Sequence, residues 1–259
     1  MAHKIHYYSA DGTGIDSVYD IVAKNKDRVT ATEVSSYQQW DEITQKLLTT
    51  IEPGDVVILD TITMFAEMIR TDLKIGSDPE KLLWAMKDKF FDHKSTWDYY
   101  DAATNLIMRK LKNFRSRGAR VIVTAHERTD EDLTATPPIK RRVPDVNQKL
   151  ATSLIASSSV VGRLRVIYEN EYKGEELLRK KGQRVFEMGQ SLEYVGKIHA
   201  PLEVAMKLKT TIDRPSLTKL YNMLGFEPSF ITLYGPPGSG KSTFVLSDLV
   251  DLDGKGLGK

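Results

Sequence analysis

A glycine-rich segment near the carboxyl end of the chain restricts the possible folds more than any other part of the sequence. A short apolar run, FITLY, leads into GPPGSGKS at residues 235–242, which matches the pattern G-x-x-x-x-G-K-[ST] in full. Glycines allow such a backbone to curl so that consecutive N–H groups point at one anion. Strand, loop and amphipathic helix occur in the order that the motif requires. The segment therefore predicts a phosphate-binding loop, and a chance glycine-rich turn is the alternative.

Residue types within this loop suit the triphosphate group of a nucleotide together with a magnesium ion. Lys241 supplies a compact positive charge, and the hydroxyl of Ser242 is a ligand that Mg²⁺ accepts. A helix that begins at Lys241 directs the positive end of its dipole toward the phosphates. We expect ATP to bind across the segment, which consists of Gly235, Pro236, Pro237, Gly238, Ser239, Gly240, Lys241, Ser242 and Thr243.

Length and composition favour one large α/β domain. With 259 residues, of which 41% are hydrophobic, the chain can bury a sizeable core. We predict a single domain over residues 1–259, in which residues 1–205 supply most of the sheet. Residues 206–259 then supply the strand and the helix on either side of the phosphate-binding loop.

Charge and cysteine content exclude several classes of protein. The 37 basic and 35 acidic residues give a net charge of +2, so a nucleic-acid contact would need a local basic patch. The absence of cysteine excludes disulfides and thiolate metal sites. No apolar run approaches the roughly 20 residues that cross a bilayer, and the polar amino terminus is unlike a signal peptide. We expect no membrane contact and a cytoplasmic location.

A buried strand pattern that ends in a carboxylate is the second informative motif. Residues 55–60 read DVVILD, a continuous apolar run typical of a strand buried on both faces of a parallel sheet. This is the Walker B pattern, in which Asp60 would hold Mg²⁺ and its water shell opposite Ser242. The alternative is that Asp60 only caps a buried strand.

Another buried strand, RVIVTA at residues 120–125, is followed by a histidine. Ligands of such sheets bind at the carboxyl ends of the strands, so His126 could sense the γ-phosphate or orient a water molecule. The alternative is that His126 caps the strand and packs under a loop.

Residues 128–143 show no hydrophobic period and contain Pro137 and Pro138, which predicts a loop. The loop carries a run of three basic residues, Lys140, Arg141 and Arg142. Such a run could contact nucleic-acid phosphates or the nucleotide of a neighbouring subunit, and a solvated charged surface is an equally weighted alternative.

Hydrophobic periodicity predicts the remaining elements. Strands are expected at residues 4–10, 28–34, 159–170, 183–188 and 192–198. Helices are expected at residues 15–26, 38–51, 61–70, 99–117 and 144–157. Residues 74–97 form a longer charged insertion with several aromatic side chains.

The order of these elements is unusual, because a phosphate-binding loop normally follows the first strand of its fold. Joining Lys259 to Met1 would connect the loop helix to the strand that ends in SADG, with enough residues for one helix, a turn and one strand. The order is therefore consistent with a circular permutation, in which Met206 would be the original start. A natural gene order, or a numbering that does not follow the order of synthesis, are the alternatives. In each case we expect residues 254–259 to lie near Met1.

Taken in the permuted order, the motifs resemble those of the RecA-like ATPases, most closely the phage-encoded single-domain branch of nucleotide-binding or annealing-recombinase proteins (AAA_24-like). The resemblance covers the core from Ile231 around to about Arg165 and rests on YGPPGSGKST, SADG, VVILDTIT and VIVTAHE. It implies the α/β fold of a RecA-like P-loop NTPase, with a mostly parallel sheet flanked by helices. The strand before the phosphate-binding loop would come from the C-terminal segment.

The same resemblance implies roles for single residues. Lys241 and Ser242 would bind phosphate and Mg²⁺, Asp60 would be the Walker B acid, and His126 would occupy the sensor position. Asp11 would be the catalytic base, at a place where many relatives carry glutamate. Asp11 could instead only begin the turn DGTG.

In functional terms the resemblance implies Mg²⁺-dependent ATP hydrolysis by an ATPase that assembles on single-stranded DNA during recombination or annealing. A homo-oligomeric ring or filament is expected, in the host cytoplasm if the protein is phage-encoded. Residues 74–96 and 128–143 would face DNA, and Arg141, Arg142 or Arg163 would complete the site of a neighbouring subunit. The alternatives are a nucleotide or small-molecule kinase and a non-hydrolysing, nucleotide-gated binding module.

Overall fold

The computed structural model of the protein describes residues 3–76, 96–132, 138–173, 176–189, 191–205 and 209–255. Three expectations lie outside these residues: the DNA-facing role of most of the charged insertion, the original start at Met206, and the proximity of the two chain ends.

Strands and helices alternate through much of the described chain. The strands are β1 (Ile5–Ser9), β2 (Val29–Glu33), β3 (Val56–Asp60), β4 (Arg120–Ala125), β5 (Glu127–Asp132), β6 (Ile139–Pro144), β7 (Val160–Lys173), β8 (Glu176–Glu187), β9 (Lys197–Ile198), β10 (Thr211–Asp213) and β11 (Phe230–Tyr234). The helices are α1 (Tyr19–Lys24), α2 (Tyr37–Thr50), α3 (Ile62–Gly76), α4 (Thr96–Ser116), α5 (Gln148–Ser157), α6 (Leu202–Ala205), α7 (Leu217–Leu224) and α8 (Lys241–Lys255), and a short 3₁₀ helix spans Asp16–Val18.

One mixed sheet unites most of the strands in the order β10-β8-β7-β11-β4-β3-β1-β2, and β9 pairs with β7. The six strands from β7 to β2 in this order run parallel, while β8, β9 and β10 pair antiparallel. The strand before the phosphate-binding loop, β11, thus lies between β4 and β7, although it follows both in sequence. The predicted α/β architecture with a mostly parallel sheet is confirmed.

Both faces of this sheet are covered, which explains why its central strands read as apolar runs. All five residues of β3 and all five of β11 are buried. On one face, α2, α3, α4 and α5 contribute a core in which Trp40 packs against Phe65 at 5.6 Å between ring centroids. On the other face, α7 and α8 contribute a second core, which includes Leu220, Phe244 and Leu246.

The prediction of a loop at residues 128–143 is wrong, because most of these residues form an antiparallel hairpin of β5 and β6. We call this hairpin the basic hairpin after the basic run at residues 140–142. Opposite charges face each other across it, as in the pairs Asp130 with Arg141 and Glu131 with Lys140. Cross-strand charge pairs support a sheet without the hydrophobic alternation on which the prediction relied. Residues 133–137, between the two strands, are not described.

The prediction of a strand at residues 192–198 is also largely wrong, since only Lys197–Ile198 form a strand. Val195 instead donates its N–H to the carbonyl oxygen of Arg142 at 3.0 Å, and the N–H of Arg142 bonds the carbonyl of Glu193 at 2.7 Å. The hydroxyl of Tyr234 contacts the same backbone segment, since it accepts a hydrogen bond from the N–H of Val195 at 2.9 Å. Backbone groups that would have extended the strand therefore anchor the basic hairpin.

Removal of β11 and α8 is expected to prevent folding. A chain that ends at Gly225 loses four fully buried large side chains of β11, each worth about 1.5–3 kcal/mol, and leaves β4 and β7 without a partner between them. The loss approaches the whole stability of an ordinary domain, about 5–15 kcal/mol. Urea titration followed by far-UV circular dichroism should show no cooperative transition for the shortened chain, with the full chain as control. A cooperative transition would contradict the central position of β11.

Candidate nucleotide-binding site

The strand register gathers the predicted site residues at one edge of the sheet. Ser9 pairs with Asp60, and Tyr234 pairs with Ala125. Because β1, β3, β4 and β11 are parallel, the residues that follow them meet at their carboxyl edge, where α/β proteins bind ligands. Those residues include Asp11, His126 and the phosphate-binding loop.

The phosphate-binding loop has the backbone geometry that its sequence predicts. Gly238 and Gly240 have φ angles of +73° and +80°, a region that side-chain-bearing residues rarely adopt. Gly235 packs so closely that a Cβ there would lie 2.0 Å from the carbonyl oxygen of Leu164 on β7. The buried hydroxyl of Ser239 has no hydrogen-bond partner among the described residues. An unpaired buried donor within a curled glycine loop fits a phosphate oxygen.

Lys241 directs its ammonium group into the loop. The residue is 6% exposed, and Nζ donates to the carbonyl oxygens of Gly235 and Pro236, both at 3.0 Å. Burial lowers the pKa of Lys241, while the carboxylates of Asp60, Glu127 and Asp11 act in the opposite direction. The carboxylate of Asp60 is thus near enough to act on the pKa of the amine.

Hydroxyl groups lie around the carboxylate of Asp60, one of the two predicted metal ligands. Tyr7 on β1 donates its phenol proton to Oδ2 of Asp60, and the side chain of Ser242, the other predicted ligand, lies close to the same phenol. Thr124 on β4 donates to Oδ1 of Asp60. Burial and the neighbouring charge of Asp60 raise the pKa of Tyr7 well above its usual range, so the phenol stays protonated and can donate.

Neither Tyr7 nor Thr124 was predicted from the sequence. A signal was available in their positions, because each lies near the carboxyl end of a strand adjacent to β3. Which of the alternating residues faces Asp60 depended on the register between the strands.

The donor set around Asp60 fits Mg²⁺ bound together with a nucleotide. Asp60 is fully buried, and its hydroxyl neighbours orient both carboxylate oxygens. Within the described ranges, no cluster of three or more His, Asp or Glu residues could hold a metal by itself. Mg²⁺ commonly uses one or two protein ligands, water molecules and substrate phosphates. Asp60 and Ser242 are the residues that would hold the ion here.

Asp11 lies at the same edge and also shapes its own turn. Its Oδ1 accepts the N–H of Thr13 at 3.2 Å and the hydroxyl of Ser9 at 3.3 Å. The carboxylate also acts on the pKa of both Lys241 and His126. The structural role of Asp11 in the turn and its position beside the phosphate-binding loop are therefore compatible.

His126 is half-buried, with its backbone fixed from two directions. Its N–H donates to Oγ1 of Thr63 at 3.0 Å, and its carbonyl accepts the N–H of Asp145 at 2.8 Å. Burial first, and the positive charge of Lys241 second, lower the pKa of His126 below 6.5. The imidazole is accordingly neutral at pH 7 and can both donate and accept a hydrogen bond.

An ion-pair cluster that is largely shielded from solvent lies beside Lys241 and was not predicted. Arg163 on β7 binds Glu127 through two hydrogen bonds of 2.7 and 3.0 Å, and it lies 3.3 Å from Glu187. All three side chains are 8–13% exposed. The engagement of Arg163 within its own chain argues against the role in a neighbouring subunit considered for it.

The three basic residues of the hairpin do not share one surface. Lys140 and Arg142 are exposed on one face of β6, whereas Arg141 lies half-buried on the other. Lys140 is 3.9 Å from Glu131, and Arg142 donates to the hydroxyl of Thr129. A nucleic-acid contact at this place would thus use two of the three residues.

Comparison with known proteins identifies the family. The family model described as an AAA domain (AAA_24) matches residues 15–199, which are 185 of the 259 residues. The chain therefore belongs to the AAA domain family, and this membership indicates nucleotide-binding ATPase activity. The match includes Asp60 and His126, while the phosphate-binding loop lies outside it. No curated protein matches the chain.

A membrane span was not expected, and none of the helices in the described ranges is both long and apolar enough to form one.

Acidification should reveal the neutral state of His126. An unfolded histidine takes up its proton near pH 6.5, whereas the lowered pKa delays this in the folded chain. Folding stability contributed by neutral His126 is therefore present above pH 6.5 and is lost as the pH falls through the folded pKa. Urea denaturation at pH 7.5 and 5.5 should show a smaller loss for His126→Gln than for the unsubstituted chain. Equal losses would show that His126 titrates alike in both states.

Proposed function

We propose that this chain is a RecA-like, Mg²⁺-dependent ATPase that hydrolyses ATP to ADP. The observation that carries the proposal is the convergence of the phosphate-binding loop on the carboxylate of Asp60. Tyr7 donates to Asp60 and also lies close to Ser242, and the Asp60 carboxylate acts on the ammonium group of Lys241. A P-loop NTPase needs the side chains of Ser242, Asp60 and Lys241 together.

The triphosphate would be held mainly by backbone and dipole. The positive φ angles of Gly238 and Gly240 curl the end of the loop so that backbone N–H groups there would point toward one anion, and α8 adds the positive end of its dipole. Lys241 would exchange its bonds to the carbonyls of Gly235 and Pro236 for bonds to phosphate oxygens. The unpaired hydroxyl of Ser239 offers one further donor.

Asp60 and Ser242 would hold the magnesium ion, which when bound neutralises charge on the β- and γ-phosphates. Tyr7 and Thr124 keep the Asp60 carboxylate oriented by donating to its two oxygens. Loss of either hydroxyl would leave a buried oxygen without a partner.

Asp11 would accept a proton from the attacking water, as the carboxylate nearest the carboxyl end of β1. Its Oδ1 is occupied by the turn, and this bonding orients the carboxylate. His126, neutral at pH 7, would donate to a γ-phosphate oxygen or to the water. Lys241 stabilises the negative charge that develops on the transferred phosphoryl group.

The assembly that we propose is a homo-oligomeric ring or filament on single-stranded DNA, of the phage recombination or annealing type. The resemblance of the motifs to that branch supports it, and so do the exposed Lys140 and Arg142 of the basic hairpin, which begins at Glu127 at the edge of the site. Arg141 and Arg142 remain the candidates for completing a neighbouring site. A cytoplasmic location agrees with a sequence that has no cysteine.

We further infer a circularly permuted chain order. The inference draws support from β11, which is last in sequence but internal in the sheet, next to both β4 and β7. The packing of the C-terminal helix on the amino-terminal part of the chain agrees with it, since Arg28 donates to the carbonyl oxygen of Val250 at 3.3 Å.

Two substitutions should separate nucleotide binding from hydrolysis. Lys241→Ala is expected to lower kcat/KM for ATP by about 100-fold or more, because it removes the charge that stabilises the phosphoryl group. Asp11→Asn should leave ATP affinity nearly unchanged and lower kcat by about 100-fold, because only proton transfer is lost. Release of inorganic phosphate, with and without Mg²⁺, is the measurement.

Lys46→Ala, which removes an exposed lysine on α2, provides the matched control and should retain full activity. Thermal melting of all variants tests whether each is folded. Phosphate release that persists in Lys241→Ala, or that needs no Mg²⁺, would contradict the proposed chemistry. Transfer of label to an acceptor without phosphate release would favour a kinase.

DNA binding through the basic hairpin should depend steeply on salt. Each contact with a single-strand phosphate contributes about 0.7 to the slope of log affinity against log salt, so the double variant Lys140→Ala, Arg142→Ala should flatten the slope by about 1.4. Fluorescence anisotropy of labelled oligothymidine over a salt series measures it. Arg141→Ala, on the opposite face, is the matched control and should change the slope less. Equal effects of both variants would contradict the assignment of the binding face.

A further inference from the structure

The antiparallel pair β7 and β8 extends far beyond the edge of the sheet that carries the site. Along β11, the last residue paired with β7 is Tyr234, which lies opposite Arg163. From there β7 continues to Lys173, and β8 pairs with it along its length. The part of this pair beyond Arg163, the projecting hairpin, therefore runs past the phosphate-binding loop on its β7 side.

The phosphate-binding loop rests directly on the base of the projecting hairpin. At its start, Gly235 approaches the carbonyl oxygen of Leu164 so closely that no Cβ would fit. At its end, a Cβ on Gly240 would meet the guanidinium of Arg184, at 2.5 Å from Nη2. A positively charged side chain of β8 thus lies against the glycine that precedes Lys241.

Pairing register shows which side chains of the hairpin share the face of Arg184. Directly opposite residues of an antiparallel pair lie on one face, and the face alternates along each strand. Leu164 and Phe186 form one such pair, and Phe186 packs against Phe244 of α8 at 6.1 Å between ring centroids. The next pairs on this face are Val166 with Arg184 and Tyr168 with Gly182. Both pairs therefore lie on the face of the sheet that packs against α8, the helix that follows the phosphate-binding loop.

Tyr168 presents an aromatic surface at this place. The residue is 57% exposed, although its ring lies over Gly182, where a Cβ would be 3.1 Å from Cε1. The Tyr168 pair lies two residues beyond the Arg184 pair, which is about 7 Å along a strand. The cation Arg184 at the loop is thus followed along the strand pair by the exposed ring of Tyr168, and Gly182 lies beneath that ring.

We propose that these four residues, Val166, Tyr168, Gly182 and Arg184, form a nucleoside wall that recognises the part of the nucleotide outside the phosphate-binding loop. The base stacks on Tyr168, and Arg184 contacts the α-phosphate. This inference rests on the proposed function, because it requires a triphosphate in the loop.

The side chains on the two sides of the loop favour a nucleoside that lies along β7 and β8. Tyr7, Asp60 and His126 lie on the side of β3 and β4, where the proposed chemistry at the γ-phosphate takes place. The nucleoside must leave on the other side, which is that of β7 and β8. Stacking between a base and an aromatic ring tolerates any base, so the wall would accept nucleoside triphosphates in general and favour the larger purines.

The test compares ATP with inorganic tripolyphosphate, which carries the phosphates without the nucleoside. Calorimetric titration in the presence of Mg²⁺ measures both affinities for the unsubstituted chain and for the variants Tyr168→Ala, Tyr168→Phe and Ile167→Ala. Ile167 is 38% exposed on the opposite face of the same strand, which makes it the matched control. Thermal melting of each variant verifies that it is folded.

Tyr168→Ala is expected to weaken ATP binding about tenfold and to leave tripolyphosphate binding unchanged. Tyr168→Phe and Ile167→Ala should bind both probes like the unsubstituted chain, because the ring is kept or is not involved. An unchanged ATP affinity in Tyr168→Ala would overturn the inference, as would an equal loss for both probes. If Lys241→Ala abolishes ATP binding while Tyr168→Ala does not affect it, the nucleoside wall is wrong and the ATPase proposal stands. If the unsubstituted chain binds neither probe, both proposals fail.

Discussion

The pairing of β11 with β4 on one side and β7 on the other is the constraint on which the remaining structure depends. A strand buried on both faces and paired on both edges cannot shift by one residue without turning its side chains to the wrong core. This register therefore determines where the phosphate-binding loop begins. It also brings Lys241, near the end of the sequence, to Asp60 and His126, which come from its first half.

Around this loop, each partner contributes from a different strand. Asp60 is positioned by β3, Tyr7 by β1 and Thr124 by β4, and their hydroxyls satisfy both oxygens of one carboxylate. Such an arrangement reduces the free-energy penalty of burying a charge, because hydrogen bonds replace the water that burial removes. The same logic holds on the other side of the loop, where Arg163 is neutralised by Glu127 and Glu187.

Sequence patterns predicted those parts of the molecule that depend on local chemistry. The phosphate-binding loop is marked by its glycines and lysine, and β3 by an apolar run that ends in Asp60. Tyr7 was missed because its role requires the register of β1 against β3, which a strand pattern does not contain. The basic hairpin was missed for another reason, since its strands pair through opposite charges such as Asp130 with Arg141 rather than through alternating apolar residues.

The ion pair between Glu127 and Arg163 has a consequence for communication within the molecule. Glu127 is both the first residue of the basic hairpin and a carboxylate that acts on the ammonium group of Lys241. A ligand that moved the hairpin would alter the electrostatic field at the phosphate-binding loop, and thermodynamic linkage would make this influence equal in the reverse direction. A single carboxylate thereby connects the surface of the hairpin with the loop over a short distance.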